Sequence, residues 1–599
     1  MRLPVPDVHS YARPGEARVR HVTLDLTADF EARQLRGSAA LDVDVATGAR
    51  EVILDTGDLL VRAVTDDRGV PLPFTLGDPD PVLGRALSIA LPGEAARAAR
   101  VIIEYATSPG AAALQWFEPE QTAGGAHPFL FSQGHAILTR SWVPTQDSPA
   151  VRQTYDARIT VPHALTAVMS AEQLTPGGVD CGRQRRFEFR MRQPVPPYLF
   201  ALAVGELAFR PLGPRTGVYA ESPLVERARN EFADLERMLA AAEAIGGPYR
   251  WERFDLLVPP PSFPFGGMEN PRLTFVTPTL IVGDRSLTTV VAHELAHAWA
   301  GNLVTQATWS DFWLNEGFTV YMELRIIESL YGAERAAMLE VYGRRELAAE
   351  LQRMGLASPD TRLHLDLTGR DPAEGVTVVP YVKGAAFLRV IEHAVGRERF
   401  ERYLRSWFDR HAFASVTTEA FVHDLREHLC QDDPALEQRI DVDSWLYAPG
   451  LPSNAIEPTS DALTRVEAAA GAFAAGAPAR SPDPHVWTPQ EWRHFLNALP
   501  RELRQGQLRD LDSAFELSAS GNAEILFAWL RLAIRNRYEP ALPALEHFLT
   551  AQGRGKFVKP LYQELMASEW GRGEARRLYR RARGRYHSVV TTALDTIVR

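Results

Sequence analysis

Two short motifs, H-E-L-A-H at residues 293–297 and N-E-G at 315–317, constrain this chain more than any other feature. On a helix, His293 and His297 stand at i and i+4, so both imidazoles project from one face about one turn apart. That spacing lets two ring nitrogens grip one tetrahedral zinc ion, with Glu294 beside them placed to act as a base. A catalytic zinc takes three protein ligands and keeps its fourth position for water. Eighteen residues separate His297 from Glu316, the natural third ligand, which lies on what reads as a second helix. One zinc ion per chain is the expectation.

Helix signals surround both motifs. Ser286 or Asp284 can cap the first helix, Leu287, Val290, Val291 and Leu295 give it an apolar stripe, and Gly301 follows its end. Trp313, Tyr321, Leu324, Ile327 and Leu330 recur at helical spacing in the second, which stops at Gly332. Glu323, seven residues after Glu316, shares that ligand's face and is positioned to hold a zinc histidine from behind.

A chain of 599 residues has room for about three or four domains. Its 45% hydrophobic and 23% charged content is that of an ordinary soluble globular protein. A net charge of −10 is mild for this length and argues against nucleic acid as a partner. Cys181 and Cys430 are the only cysteines, which fits a reducing compartment better than a disulfide framework. The amino terminus, M-R-L-P-V-P-D-V-H-S, lacks an apolar core of the kind a leader carries, and no stretch has the ~18 apolar residues a membrane span needs. A cytoplasmic protein without a membrane partner is expected.

Residues 1–205 alternate apolar and polar side chains, as in 19–26 and 40–45, between glycine and proline breaks. This predicts a saddle or sandwich of antiparallel strands rather than βαβ units. Residues 206–447 read as mixed and then helical, with one helix over 224–245, a short buried strand at 254–258 and a proline-rich loop at 259–271. The prolines at 259, 260, 261 and 264 hold that loop extended, while Gly266 and Gly267 let another backbone come close. An extended segment beside a zinc helix is where a peptide substrate's main chain would pair. A proline-bearing linker at 448–458 precedes a helical segment, 459–599, with no clear fixed-period repeat. The basic run 576–585 reads as a solvated helix face.

Taken together, H-E-L-A-H, the eighteen-residue gap, N-E-G-F and the loop G-G-M-E-N at 266–270 resemble the gluzincin aminopeptidases of the alanyl-aminopeptidase family. L-Q-W-F-E-P-E-Q-T (114–122), the loop with its flanks (260–280), Y-A-P-G-L-P (447–452) and G-R-G-K-F-V-K-P-L (553–561) resemble its leukotriene A-4 hydrolase and aminopeptidase B branch along essentially the whole chain. The resemblance implies a multidomain α+β protein: an antiparallel β saddle, a thermolysin-like mixed α/β catalytic domain and an all-α C-terminal domain. It implies a monomeric zinc aminopeptidase acting on short peptides with a free N-terminus. Glu294 would be the general base and Tyr381, in V-P-Y-V-K-G, the donor to the oxyanion. Glu269 would bind the substrate's α-ammonium, with Gly266, Gly267, Met268, Gln133 and His135 lining the peptide site. Arg554 and Lys556 would meet the carboxylate at the far end of a short peptide.

Departures from the branch bear on specificity. His135 stands where the branch has a glutamine, and Phe265 replaces a tyrosine before the loop. At 371–376, D-P-A-E-G-V puts Ala373 in place of an aspartate and Val376 in place of a tyrosine. The branch uses that aspartate to hydrolyse its lipid epoxide, so an added epoxide hydrolase activity is disfavoured. A silent peptide-binding scaffold and an endopeptidase remain the other readings. The intact ligand and base set speaks against the first, and Glu269 against the second.

Overall fold

The computed structural model describes residues 6–91, 98–431, 433–480 and 487–599. Residues 1–5, part of the stretch read for a leader, lie outside them. The N-terminal part is built on an eight-stranded sheet around the long strands Ala17–Asp29, Gln34–Val45, Gln153–Pro162 and Gln184–Val195. In Ala17–Asp29 the side chains of Val22, Leu24 and Leu26 turn into the core while Thr23 and Asp25 face outward, the period-2 pattern that half-buried strands require. The sheet is antiparallel as expected at every pair but one. Ala17–Asp29 pairs in parallel with Gln153–Pro162, with Leu24 opposite Ala157. Alternation reveals which face is buried but not which strand lies alongside, and a partner reached through more than a hundred intervening residues can run either way.

A second sheet of four strands includes Leu114–Phe117 and Phe129–Ser132, and the chain leaving the latter carries Gln133 and His135. A third, mixed sheet runs Leu207–Pro211, Thr216–Glu221, Phe254–Leu257, Leu273–Val276 and Gly267–Met268. Its short edge strand Gly267–Met268 is the extended part of the proline-rich loop, antiparallel to Leu273–Val276. The helix expected over 224–245 is two helices, Val225–Glu231 and Leu235–Gly246. At the break, Glu231 accepts from the backbone N–H groups of Gly283 and Arg285 (2.6 and 2.9 Å), fixing the loop that leads to the histidine helix.

The N-terminal and catalytic parts share one continuous core, and the C-terminal helices have their own. The stretch 448–458 lies along the catalytic part, with Leu451, Ala455 and Ile456 against its core. The basic run is largely paired within the helical domain, Arg577 and Arg581 with Glu546 and Arg583 with Asp595. Cys181 is exposed and Cys430 buried, both free thiols. Among the described residues no helix is long and apolar enough to cross a membrane.

Candidate metal centre

The histidine helix spans Thr289–Ala296 and starts one turn later than its proposed caps. Asp284 instead accepts from the Ser286 N–H, and the Ser286 hydroxyl accepts from Asn522 of the C-terminal domain at 3.1 Å. Glu316 lies in the first turn of the helix Trp313–Tyr331, which ends at Gly332. Gly301, at φ 102°, turns the chain between the two helices, and a Cβ there would press against the Asn315 side chain.

The two helices bring three donor atoms together. His293 Nε2 and His297 Nε2 are 3.2 Å apart, and each faces Glu316 Oε2, at 3.4 and 3.6 Å. Three donors held at about 2.0–2.2 Å from a zinc ion at tetrahedral angles are spaced about 3.3–3.6 Å from one another. The triangle therefore fits the ion. The outer nitrogens are committed elsewhere: His293 Nδ1 donates to Glu323 at 2.9 Å, and His297 Nδ1 to Ala300 O (3.1 Å) and Thr319 Oγ1 (3.0 Å). With Nδ1 as donor on both rings, each Nε2 lone pair points at the gap. Glu316 Oε2 is buried without a hydrogen-bond donor. Burial alone would lower His293, yet Glu316 and Glu323 raise it well above the usual imidazole range, so the site calls for positive charge. His297, by contrast, is pushed down to about 4 by burial and stays neutral, the form that ligates.

Around this triangle stand the groups expected to act on a substrate. Glu294 is buried, and burial, reinforced by Glu269 and Glu316, raises its carboxyl well above the ordinary range. Carboxylate oxygens of Glu269 and Glu294 and a ring nitrogen of His297 all lie within 4.8 Å of one another. Glu269 is 6% exposed with Oε1 unpartnered, and Asn302 holds its backbone carbonyl through a 2.7 Å bond. Gly267 is required here, because a Cβ on it would fall on the Glu294 carboxylate. Gly266 packs against the Arg554 guanidinium, and buried Met268 pairs with Phe275. Tyr381 stacks on His293 (ring centroids 6.2 Å apart), and burial first and the Glu316 carboxylate second raise its phenol well above the usual range.

On the Glu269 side, His135 sits among Trp309, Phe312 and Tyr198, with ring centroids 4.7, 5.4 and 5.8 Å away, and burial lowers its pKa. Gln133 lies just before it, with Oε1 buried and unpartnered. His293 and Tyr381 also line a cavity of about 760 Å³, with Leu287, Val290, Val320 and Leu324 among its apolar lining and Lys556 among its charged residues. Lys556 is not free: it donates to Glu524 at 2.6 Å, and Arg493 faces the same carboxylate at 3.5 Å. Arg554 is 7% exposed and donates to Thr279 at 3.1 Å. Val376 lines the cavity, and Ala373 lies in the 3-10 turn Pro372–Gly375.

Sequence reasoning missed Thr319, Asn302, Glu524 and Arg493. Thr319, one turn beyond Glu316 on the same face, was discoverable by the spacing that identified Glu323. The other three act through tertiary contacts that leave no local signal.

Residues 15–199 match the Peptidase M1 N-terminal domain, 232–445 the Peptidase family M1 domain and 487–598 the C-terminal domain of leukotriene A4 hydrolase. The chain is 38% identical to a leukotriene A-4 hydrolase of Xenopus laevis, over 97% of each protein. It is 35% identical to an aminopeptidase B of Rattus norvegicus, over 99% of this chain and 96% of that protein. Its structure superposes on yeast leukotriene A4 hydrolase in complex with bestatin with a TM-score of 0.91, at 29% identity, covering 100% of this chain and 98% of that one. An M1 zinc metallopeptidase of Deinococcus radiodurans shares the fold over 75% of this chain, with a TM-score of 0.61. The chain belongs to peptidase family M1, as a zinc-dependent aminopeptidase whose third domain is of the leukotriene A4 hydrolase type.

Proposed function

We propose that the protein removes the N-terminal residue from short peptides, with Glu269 selecting the free amine. The observation that carries this reading is the buried Glu269 carboxylate, whose Oε1 has no hydrogen-bond partner and which offers an oxygen within 4.8 Å of a carboxylate oxygen of Glu294 and a ring nitrogen of His297. An unpaired carboxylate in so dry a place costs several kcal/mol unless a cation meets it. A substrate α-ammonium supplies that cation, and a blocked or internal peptide does not.

His293, His297 and Glu316 would hold the zinc ion, which when bound supplies a Lewis acid and lowers the pKa of water to about 7. Glu294, its proton affinity raised by burial, takes the proton of the attacking water and passes it to the leaving amine. Tyr381 keeps its phenol proton, since burial first and Glu316 second raise its pKa well above the usual value, and donates to the developing oxyanion. The edge strand Gly267–Met268 pairs with the substrate main chain. With the N-terminus at Glu269, the rest of the peptide runs past His293 and Tyr381 into the 760 Å³ cavity. Its apolar wall suits an apolar second residue, and Arg554, Lys556 and Arg493 outnumber the two carboxylates they face, Glu524 and Glu346, which leaves one positive charge for the peptide's own carboxylate. An added epoxide hydrolase activity is disfavoured, since Ala373 offers no carboxylate and Val376 no hydroxyl.

The test is a panel of aminoacyl-p-nitroanilides, each free and N-acetylated, with and without a chelator. Cleavage of the free amines alone, abolished by chelation, is expected. Equal cleavage of acetylated substrates would remove Glu269 from amine binding and point to an endopeptidase. No cleavage by zinc-loaded protein would favour a silent scaffold.

A further inference from the structure

Tyr381 owes its place to the turn that carries it, and one side chain of that turn takes no part in the chemistry above. Residues Val379–Lys383 form a single π-helical turn leading into the helix Gly384–Val395, a geometry that recurs at functional sites. One flank rests on the metal-ligand helix: a Cβ on Gly317, next to Glu316, would lie 2.8 Å from Gly384 Cα and 3.2 Å from Pro380 O. Backbone therefore meets backbone there. The opposite flank is held by Lys383, which is 0% exposed. Its Nζ donates to Thr361 O at 2.9 Å and to Ala448 O at 3.0 Å. Thr361 Oγ1 in turn accepts from the Gly450 N–H at 2.8 Å, so the turn, the 3-10 turn Pro359–Thr361 and the start of the 448–458 stretch form one knot.

Burying an ammonium is costly, and among the described residues no carboxylate pairs with this one. Burial, with Arg362 second, pushes its pKa down to about 7. A leucine or methionine would fill the space without that penalty but could not reach two carbonyls on separate segments. What the lysine adds is a fixed position for the turn.

We infer that Lys383 is a positioning residue for the peptidase reaction: by tying the Tyr381 turn to Thr361 and Ala448, it holds the Tyr381 hydroxyl at the height the oxyanion needs. This rests on the reading of Tyr381 as oxyanion donor. Because Ala448 opens the stretch leading to the C-terminal domain, the same knot joins the oxyanion donor to the connection between domains.

The test is a double-mutant cycle on kcat and KM for a free aminoacyl-p-nitroanilide, using wild type, Lys383→Met, Tyr381→Phe and the double variant. Zinc content and a cooperative thermal transition confirm that each is folded. Tyr381→Phe should lower kcat about 100-fold or more. Lys383→Met should lower kcat about tenfold with KM within about twofold, and in the Tyr381→Phe background it should change kcat by less than about twofold. Lys383→Arg, which keeps a donor for each carbonyl, should recover most of the loss. The same fold-loss from Lys383→Met in both backgrounds, or a change confined to KM, would overturn the positioning role while leaving Tyr381 in place. An unaltered kcat in Tyr381→Phe would instead sink the oxyanion reading, and this inference with it. If Lys383→Met does not fold, Thr361→Val, which removes the acceptor for Gly450, takes its place in the same cycle.

Discussion

At the scale of single residues, three carboxylates within one small volume are given different work by their partners. Glu316 is drawn below the ordinary range, because the histidines facing it outweigh its burial. Glu294 and Glu269 are raised by burial. Replacing Glu294 by Gln keeps its shape and removes its basicity, so kcat should fall by about 10²–10⁴ while zinc content stays near one per chain. Loss of the metal along with activity would contradict that assignment. Glu323 is read differently: its bond to His293 Nδ1 orients a ligand without touching substrate. Glu323→Gln should weaken zinc affinity by about 10–100-fold, measured by competition with a chromophoric chelator, with kcat largely restored at saturating zinc. Persistent loss of kcat in the saturated variant would mean that Glu323 does more than hold the ring.

At the scale of elements, close approach governs the site. Gly267 sits where any side chain would overlap the Glu294 carboxylate, and the histidine helix and its glutamate partner meet through the tight turn at Gly301. Gly267→Ala should therefore displace Glu294 and cost about 10–100-fold in kcat with metal retained; a variant as fast as wild type would show that the loop simply shifts aside. Both helices that carry the candidate ligands were legible in the sequence because helical spacing fixes which side chains share a face, whatever the rest of the fold does. Their starts were less so. Ser286 has the chemistry of a cap, but the fold uses its hydroxyl to meet Asn522, over two hundred residues away. The break at 232–234 was hidden for a related reason: Glu231, unremarkable in a helical pattern, anchors the 283–285 loop. The parallel pairing of Ala17–Asp29 depends on a distant partner, which alternation cannot name.

At the scale of the whole molecule, the C-terminal domain props the loop that carries Glu269. The prolines of that loop lack donors but keep their carbonyls, and Pro261 O and Pro264 O accept from the N–H groups of Gly553 and Gly555 at 2.9 and 3.0 Å. Ser262 donates to Arg585 O at 2.6 Å. His587 completes this interface, its ring among Phe117, Phe131 and Phe265 and its Nδ1 accepting from the Val589 N–H. Burial pushes its pKa down to about 4. The unfolded chain binds this proton near pH 6.5 and the folded chain only near 4, so the stability is fully present above about 6.5 and is lost as pH falls toward 4. The loss is on the order of 3 kcal/mol. His587→Asn keeps the acceptor and lacks the titration, so its thermal midpoint should fall less than that of wild type between pH 6.5 and 4; parallel curves would exclude His587 as the cause.

On the proposed function, the buried Glu269 carboxylate makes this zinc site an aminopeptidase rather than a general protease. The most direct measurement compares kcat/KM for free and N-acetylated leucyl-p-nitroanilide in zinc-loaded wild type and Glu269→Gln. Wild type should cleave the free amine at least about 10³-fold better, and Glu269→Gln should lose most of that preference by failing on the free amine. A wild type indifferent to acetylation, or a Glu269→Gln variant that keeps the full preference, would contradict that role.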